Sequence, residues 1–213
     1  MSHIAEFDAA LSRCPLLAIL RGVMPHEVVI LGEALVEAGF QLIEVPLNSP
    51  EPLDSIARLA KALAGRAVIG AGTVLRASDV AAIRAAGGTM IVSPNTNLDV
   101  IEATIQGGLV SLPGVATPSE AFVAADAGAT ALKLFPAEAV NAAVLKAMCA
   151  VLSKGTRVLP VGGITPDSLI PWMRAGAAGL GLGSALYKPG LTPAEVAIRA
   201  RRFIAALHAG GTS

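Results

Sequence analysis

The chain has 213 residues, 54% of them hydrophobic but only 3% aromatic, and its 16 basic and 16 acidic side chains cancel to zero formal charge. Without a cationic footprint no nucleic-acid partner is expected. Cys14 and Cys149 stand too far apart for a CxxC site and indicate no disulfide framework.

Residues 1–8 mix His, Glu and Asp without an apolar targeting run, and the charge-free stretch 103–119 is broken by Gly and Pro. No membrane span is therefore expected, and a cytoplasmic protein is the default. One grammar then recurs: a short aliphatic run, a loop, and an alanine-rich amphipathic stretch that often ends in Gly. Runs at 16–20, 42–45, 67–69, 90–92, 109–112, 131–134, 157–161 and 179–182 read as strands buried on both faces. Residues 25–38, 50–63, 77–86, 98–106, 118–127, 139–152, 166–175 and 193–207 read as helices, several with Pro in the first turn. Strand starts recur roughly every 20 to 27 residues, the interval of repeated βα units. The pattern predicts an α/β chain forming a single-domain (β/α)8 TIM barrel over residues 1–213. An open doubly wound sheet competes, weakened by the lack of a GxGxxG turn after the first strand.

In such a barrel the chemistry sits where strands run into βα loops. Lys133 lies inside the run 131–134, whereas the other four lysines fall in amphipathic or loop-like sequence. A lysine in a buried strand needs a reason. Either its head snorkels out at the strand end, or desolvation lowers its pKa and leaves a neutral amine that attacks a ketone. Glu44 has a similar strand setting. It reads as the ion-pair partner of Arg21 or Lys133, or as the acid/base that moves protons during Schiff-base chemistry.

Gly162-Gly163 and Gly183-Ser184 end the seventh and eighth strands, where barrels hold phosphate on backbone N–H groups. Arg21, ending the first strand, suits a two-point grip on a carboxylate. Thr73, Pro94 and Phe135 are candidate walls for a small α-keto acid. Asn48 and Ser49 are candidate contacts for substrate hydroxyls, or simply turn formers. Glu138 suits a helix start and Lys188 a solvated surface. His3, His26 and His208 do not cluster, and no dense acidic group stands at the strand ends, so neither metal nor other cofactor is expected.

These residues sit in recognisable strings: Leu20-Arg21-Gly22, Glu44-Val45-Pro46-Leu47-Asn48-Ser49-Pro50, Gly70-Ala71-Gly72-Thr73, Ser93-Pro94-Asn95, Leu132-Lys133-Leu134-Phe135-Pro136 and Val161-Gly162-Gly163. Through them the chain, from about residue 15 to 187, resembles the class I aldolases that cleave 2-keto-3-deoxy-6-phospho sugar acids. The resemblance implies a small barrel, commonly a homotrimer, working without a cofactor. It makes Lys133 the Schiff-base residue and Glu44 the acid/base. Arg21 and Thr73 would contact the pyruvate portion; Gly162, Gly163, Gly183 and Ser184 would hold the phosphate. The ligands would be a phosphorylated keto-deoxy sugar acid, pyruvate and glyceraldehyde 3-phosphate. Residues 46–50, with Val161 before the glycine pair, resemble the phosphogalactonate branch; the phosphogluconate branch usually has Thr-Leu-Arg-Thr and a threonine at those places. The C4-epimeric phosphogluconate substrate, or both substrates, is the alternative. A phosphate-binding barrel isomerase or synthase without a Schiff base is the more distant rival.

Overall fold

A computed structural model describes residues 2–210; Met1 and residues 211–213 of the expected domain lie outside the described residues. Nine short parallel strands carry the fold, and every residue in them is buried. Six form one sheet: β1 (Leu16–Ile19), β2 (Leu42–Pro46), β3 (Val68–Gly72), β4 (Met90–Val92), β5 (Val110–Leu112) and β9 (Leu180–Leu182). Their order is β5-β4-β3-β2-β1-β9. A second sheet has the order β6-β7-β8, from Gly114–Val115, Leu132–Leu134 and Val158–Pro160.

The expected fifth run matches β5, and a short further strand, β6, follows it after Pro113. Proline has no N–H to give to a ladder, so the sheet breaks there. The Pro113 carbonyl still accepts from Lys133 N (2.9 Å), which carries the path from β5 into the second sheet. At the other end the Ala178 N–H donates to Val158 O (2.9 Å), and Val161 bridges Gly181 in parallel. The result is an α/β fold around a curled parallel sheet, with its hydrogen bonding interrupted at Pro113.

Eight helices follow the strands: α2 (Val28–Glu37), α3 (Pro52–Ala62), α4 (Ala77–Ala85), α5 (Leu98–Gln106), α6 (Pro118–Asp126), α7 (Ala142–Val151), α8 (Leu169–Arg174) and α9 (Pro193–Gly210). Several begin later than the sequence predicts, for local reasons. Residues before α2 and α8 form turns closed by Glu27 N to Met24 O and Ser168 N to Thr165 O (both 3.1 Å). The predicted helix 139–152 starts only after Asn141 caps it, accepting from Ala143 N and Val144 N. Ahead of it stands a separate 3-10 turn, Ala137–Ala139. Strand β3 in turn runs on through Gly72, because Pro46 pairs with Gly72 and holds the glycines extended.

One helix was not expected at all. Its range is His3–Arg13, here α1, and Ser2 caps it by accepting from Ala5 N (3.2 Å). It buries Phe7, Ala10 and Leu11 against an aliphatic layer that includes Leu42, Val68, Met90 and Val110. Each of those four is the first residue of its strand. Helix α1 therefore floors the sheet at the N-terminal ends of the strands. Asp8 pairs with Arg157, whose guanidinium lies 5.8 Å from the Phe7 ring centroid. The burial of Phe7 is complete. Phe7→Ala is expected to cost about 3–5 kcal/mol, the range for a deleted core aromatic. Urea unfolding checks this, and a loss below about 1 kcal/mol would show that the floor is dispensable.

Candidate active site

Strand residues two apart share a face. Leu42 and Ala131 belong to the aliphatic layer above α1, so Glu44 and Lys133, each two residues further on, project to the same interior one layer higher. Both are buried: Lys133 is 4% exposed and Glu44 not at all. Lys133 registers with Gly114 and Leu159, and Glu44 with Ile19 and Gly70. The carboxylate has room because β3 offers glycine beside it. A Cβ on Gly72 would come within 2.6 Å of Glu44 Oε1 and 2.9 Å of Cδ.

The electrostatics follow from this burial. Desolvation raises the Glu44 pKa above the usual carboxylate value, opposed by the charges of Lys133 and Arg21. Desolvation lowers the Lys133 pKa, opposed by Glu44 and reinforced by Arg21. Among the described residues neither Glu44 oxygen has a hydrogen-bond partner, and no ion pair within 4.0 Å joins it to Lys133 or Arg21. The structural ion pair that the sequence left open is therefore not formed. A buried carboxyl without partners calls for an explanation beyond stability. Lys133 Nζ also lies 4.9 Å from the centroid of the Phe135 ring, which covers it from one side.

Above this pair opens a cavity of about 450 Å³. Arg21, Lys133, Phe135 and Val161 line it, and so do Gly162, Gly163, Gly183 and Ser184. The other five sequence candidates are not in its wall. Glu44 is fully buried beside Lys133 and does not reach the wall. Asn48 and Thr73 stand one contact away: Arg21 Nη1 donates to Asn48 Oδ1 (2.8 Å) and approaches Thr73 Oγ1 at 3.5 Å. Pro94 is half-buried against Gly114, where a Cβ would strike its carbonyl. Thr73 holds φ at +54°, a left-handed conformation that a β-branched residue adopts only under strain. Ser49 ties two mouth loops together by accepting from Gly22 N (2.9 Å). Another cavity, of about 480 Å³ beside α3 and α4, has no cationic side chain in its wall and holds none of this chemistry.

Among the further residues lining the first cavity, four carry polar side chains that had not been assigned to it: Glu138, Thr165, Tyr187 and Lys188. Lys188 is exposed, as expected, yet it edges the cavity. Tyr187 donates its hydroxyl to Glu27 Oε1 (3.1 Å), and burial pushes its pKa up. Their nearness to the two glycine turns was the available signal: Thr165 follows Gly163 by two residues, and Tyr187 follows Ser184 by three. Gly162 and Gly163 both take positive φ, +117° and +64°. Among the described residues, the N–H groups of Gly163, Ser184 and Ala185 donate to no other protein group. No cluster of three or more His, Cys, Asp or Glu able to hold a metal occurs among the described residues.

Comparison with known proteins decides the family. The family model described as KDPG and KHG aldolase matches residues 7–200. The chain belongs to the KDPG and KHG aldolase family. It is an aldolase, a carbon–carbon lyase. Escherichia coli 2-dehydro-3-deoxy-6-phosphogalactonate aldolase is 44% identical over 195 residues, covering 92% of this chain and 95% of that protein. A Zymomonas mobilis 2-dehydro-3-deoxy-phosphogluconate aldolase is 34% identical, covering 76% and 77%. The solved structure described as native KDPGal superposes with a TM-score of 0.91 at 43% identity, over 93% of this chain and 96% of that one. No helix among the described residues is long and apolar enough to cross a membrane.

The two opposed pKa shifts fix a pH dependence for this aldolase. A lowered Lys133 pKa means that more of the amine is neutral at a given pH than for an ordinary lysine at 10.5. Reductive trapping of a keto acid on Lys133 is expected to rise with pH and level off below that value. In Glu44→Gln the negative charge that holds the proton on Lys133 is gone, so the midpoint moves to lower pH. A midpoint moving upward would contradict the coupling.

Proposed function

We propose that the chain cleaves 2-dehydro-3-deoxy-6-phosphogalactonate to pyruvate and D-glyceraldehyde 3-phosphate through a Schiff base on Lys133. The observation that carries the reading is the buried amine of Lys133 in the cavity wall, its pKa lowered by desolvation, with a buried, partnerless carboxyl acting on it. Neutral Lys133 Nζ attacks the C2 ketone, and a proton moves to the departing C2 oxygen so that water leaves and an imine forms. The C4 hydroxyl proton is then removed as the C3–C4 bond breaks. Its electron pair passes into the imine, giving an enamine on Lys133 and the aldehyde of glyceraldehyde 3-phosphate. Protonation at C3 and hydrolysis release pyruvate and regenerate the amine. Glu44, its pKa raised by burial, supplies and accepts the protons.

The remaining residues take roles by position. Arg21, oriented by Asn48 and Thr73, grips the substrate carboxylate. Phe135 shapes the apolar side of the pyruvate end. Gly162, Gly163, Gly183 and Ser184 receive the phosphate on the backbone of their two turns, where the N–H groups of Gly163 and Ser184 have no protein acceptor. Val161 faces the cavity just before the glycine pair and places an apolar wall there. Greater identity to the phosphogalactonate enzyme than to the phosphogluconate enzyme supports the galacto epimer. The two hydrogen-bonded sheets are read as one closed (β/α)8 barrel, with β5 and β6 a single strand broken at Pro113. The assembly is read as a homotrimer, and the location as cytoplasmic.

Pyruvate plus borohydride is expected to leave one covalent adduct on the wild type and none on Lys133→Arg, read by mass spectrometry; an unmodified wild type would remove the mechanism. Glu44→Gln should keep its fold and lose roughly 10²–10⁴-fold in turnover, the usual share of a general acid–base residue. Cleavage of the two C4 epimers, measured side by side, should favour the galacto substrate, and Val161→Thr should narrow the preference. Equal or inverted wild-type rates would overturn the epimer assignment.

A further inference from the structure

Glu138 has no part in the chemistry above, yet its side chain rests on the glycine turn assigned to the phosphate. It sits in the 3-10 turn Ala137–Ala139, which the Ala137 N–H pins to Val161 O at 2.9 Å, the residue just before the glycines. The contact is direct. A Cβ on Gly162 would lie 2.7 Å from Glu138 Cδ, and one on Gly163 would lie 2.6 Å from its Cγ. The carboxylate thus covers the face by which glycine lets an anion approach the backbone. Among the described residues no hydrogen bond or ion pair anchors it there, and the side chain is exposed. Arg21, Lys133 and Lys188 line the same cavity, so a negative charge is favoured in it.

We propose that Glu138 is a specificity-determining residue: its carboxylate shields the glycine turn from free small anions and yields to a phosphate already tethered to bound substrate. This rests on the assignment of that turn to the phosphate. Two anions cannot share the turn, so an incoming one must first displace Glu138. A free anion bears that cost alone, and its apparent affinity falls by the fraction of time the turn stands uncovered. A phosphate on a substrate held at Arg21 and Lys133 arrives at an effective concentration of about millimolar or more, and so competes where the free ion does not. The shield therefore selects for the whole substrate over inorganic phosphate.

Calorimetric titration of inorganic phosphate into wild type, Glu138→Gln and Glu138→Ala tests this, with each fold checked by circular dichroism. Both variants are expected to bind phosphate about tenfold more tightly than wild type, the gain for a turn that is otherwise covered about nine-tenths of the time. Unchanged affinity in either folded variant overturns the proposal. So does weaker affinity, which is what a carboxylate that merely braces the turn would give. Borohydride trapping of pyruvate on the wild type is run alongside. An adduct without a gain in phosphate affinity removes the shield alone, whereas absence of the adduct strikes the Schiff-base reading.

Discussion

The site depends on the cost of burying charge. Removing a carboxylate and an ammonium from water costs several kcal/mol for each ion, even after relaxation. Attraction between unit charges about 5 Å apart at an effective dielectric of about 20 returns only about 3 kcal/mol. Glu44 and Lys133 form no direct ion pair among the described residues, so desolvation outweighs attraction for both. It drives the carboxyl pKa up and the amine pKa down. Burial thus disfavours the charged form of both neighbouring groups.

That arrangement needs a rigid host, and the strands supply it in layers. Leu42 and Ala131 sit on the aliphatic floor closed by α1, and Glu44 and Lys133 come one step above. Over them the mouth is fastened by links between loops rather than by more core. Gly22 is tied to Ser49, Arg21 to Asn48, and Tyr187 to Glu27. Stability and reactivity are thus drawn from different levels of the same strands. The strained backbone of Thr73 belongs to the upper level, where such strain concentrates in binding sites.

Much of this was legible because a strand buried on both faces writes an unbroken aliphatic run. The runs at 16–20, 42–45 and 90–92 match β1, β2 and β4 to within a residue. Glycine misled in β3: Gly70 and Gly72 resemble a loop in sequence, but pairing with β2 keeps them extended. Strand β6 went unread because it is only two residues, Gly114–Val115, set off from β5 by Pro113. Helix α1 escaped notice because only three of its residues are buried, interleaved with charge. In the site, the strand-borne residues Lys133 and Glu44 stood out as charges inside apolar sequence. Glu138, Thr165, Tyr187 and Lys188 did not, since their meeting at one cavity depends on how loops fold back over the sheet. Pro94 illustrates the converse: its sequence position follows a strand, yet its carbonyl is spent against Gly114 instead of facing the cavity.

Gly72 has a bearing on how such a protein tolerates drift. It carries no functional group, yet the Glu44 carboxyl occupies the space that any side chain at that position would need. Alanine, the smallest change available, would push the acid aside while leaving the hydrophobic interior and the lysine in place. The outcome would be a folded protein whose buried carboxyl is displaced by a methyl group on the neighbouring strand. Harmful replacements in this enzyme therefore extend to silent neighbours whose only contribution is empty volume.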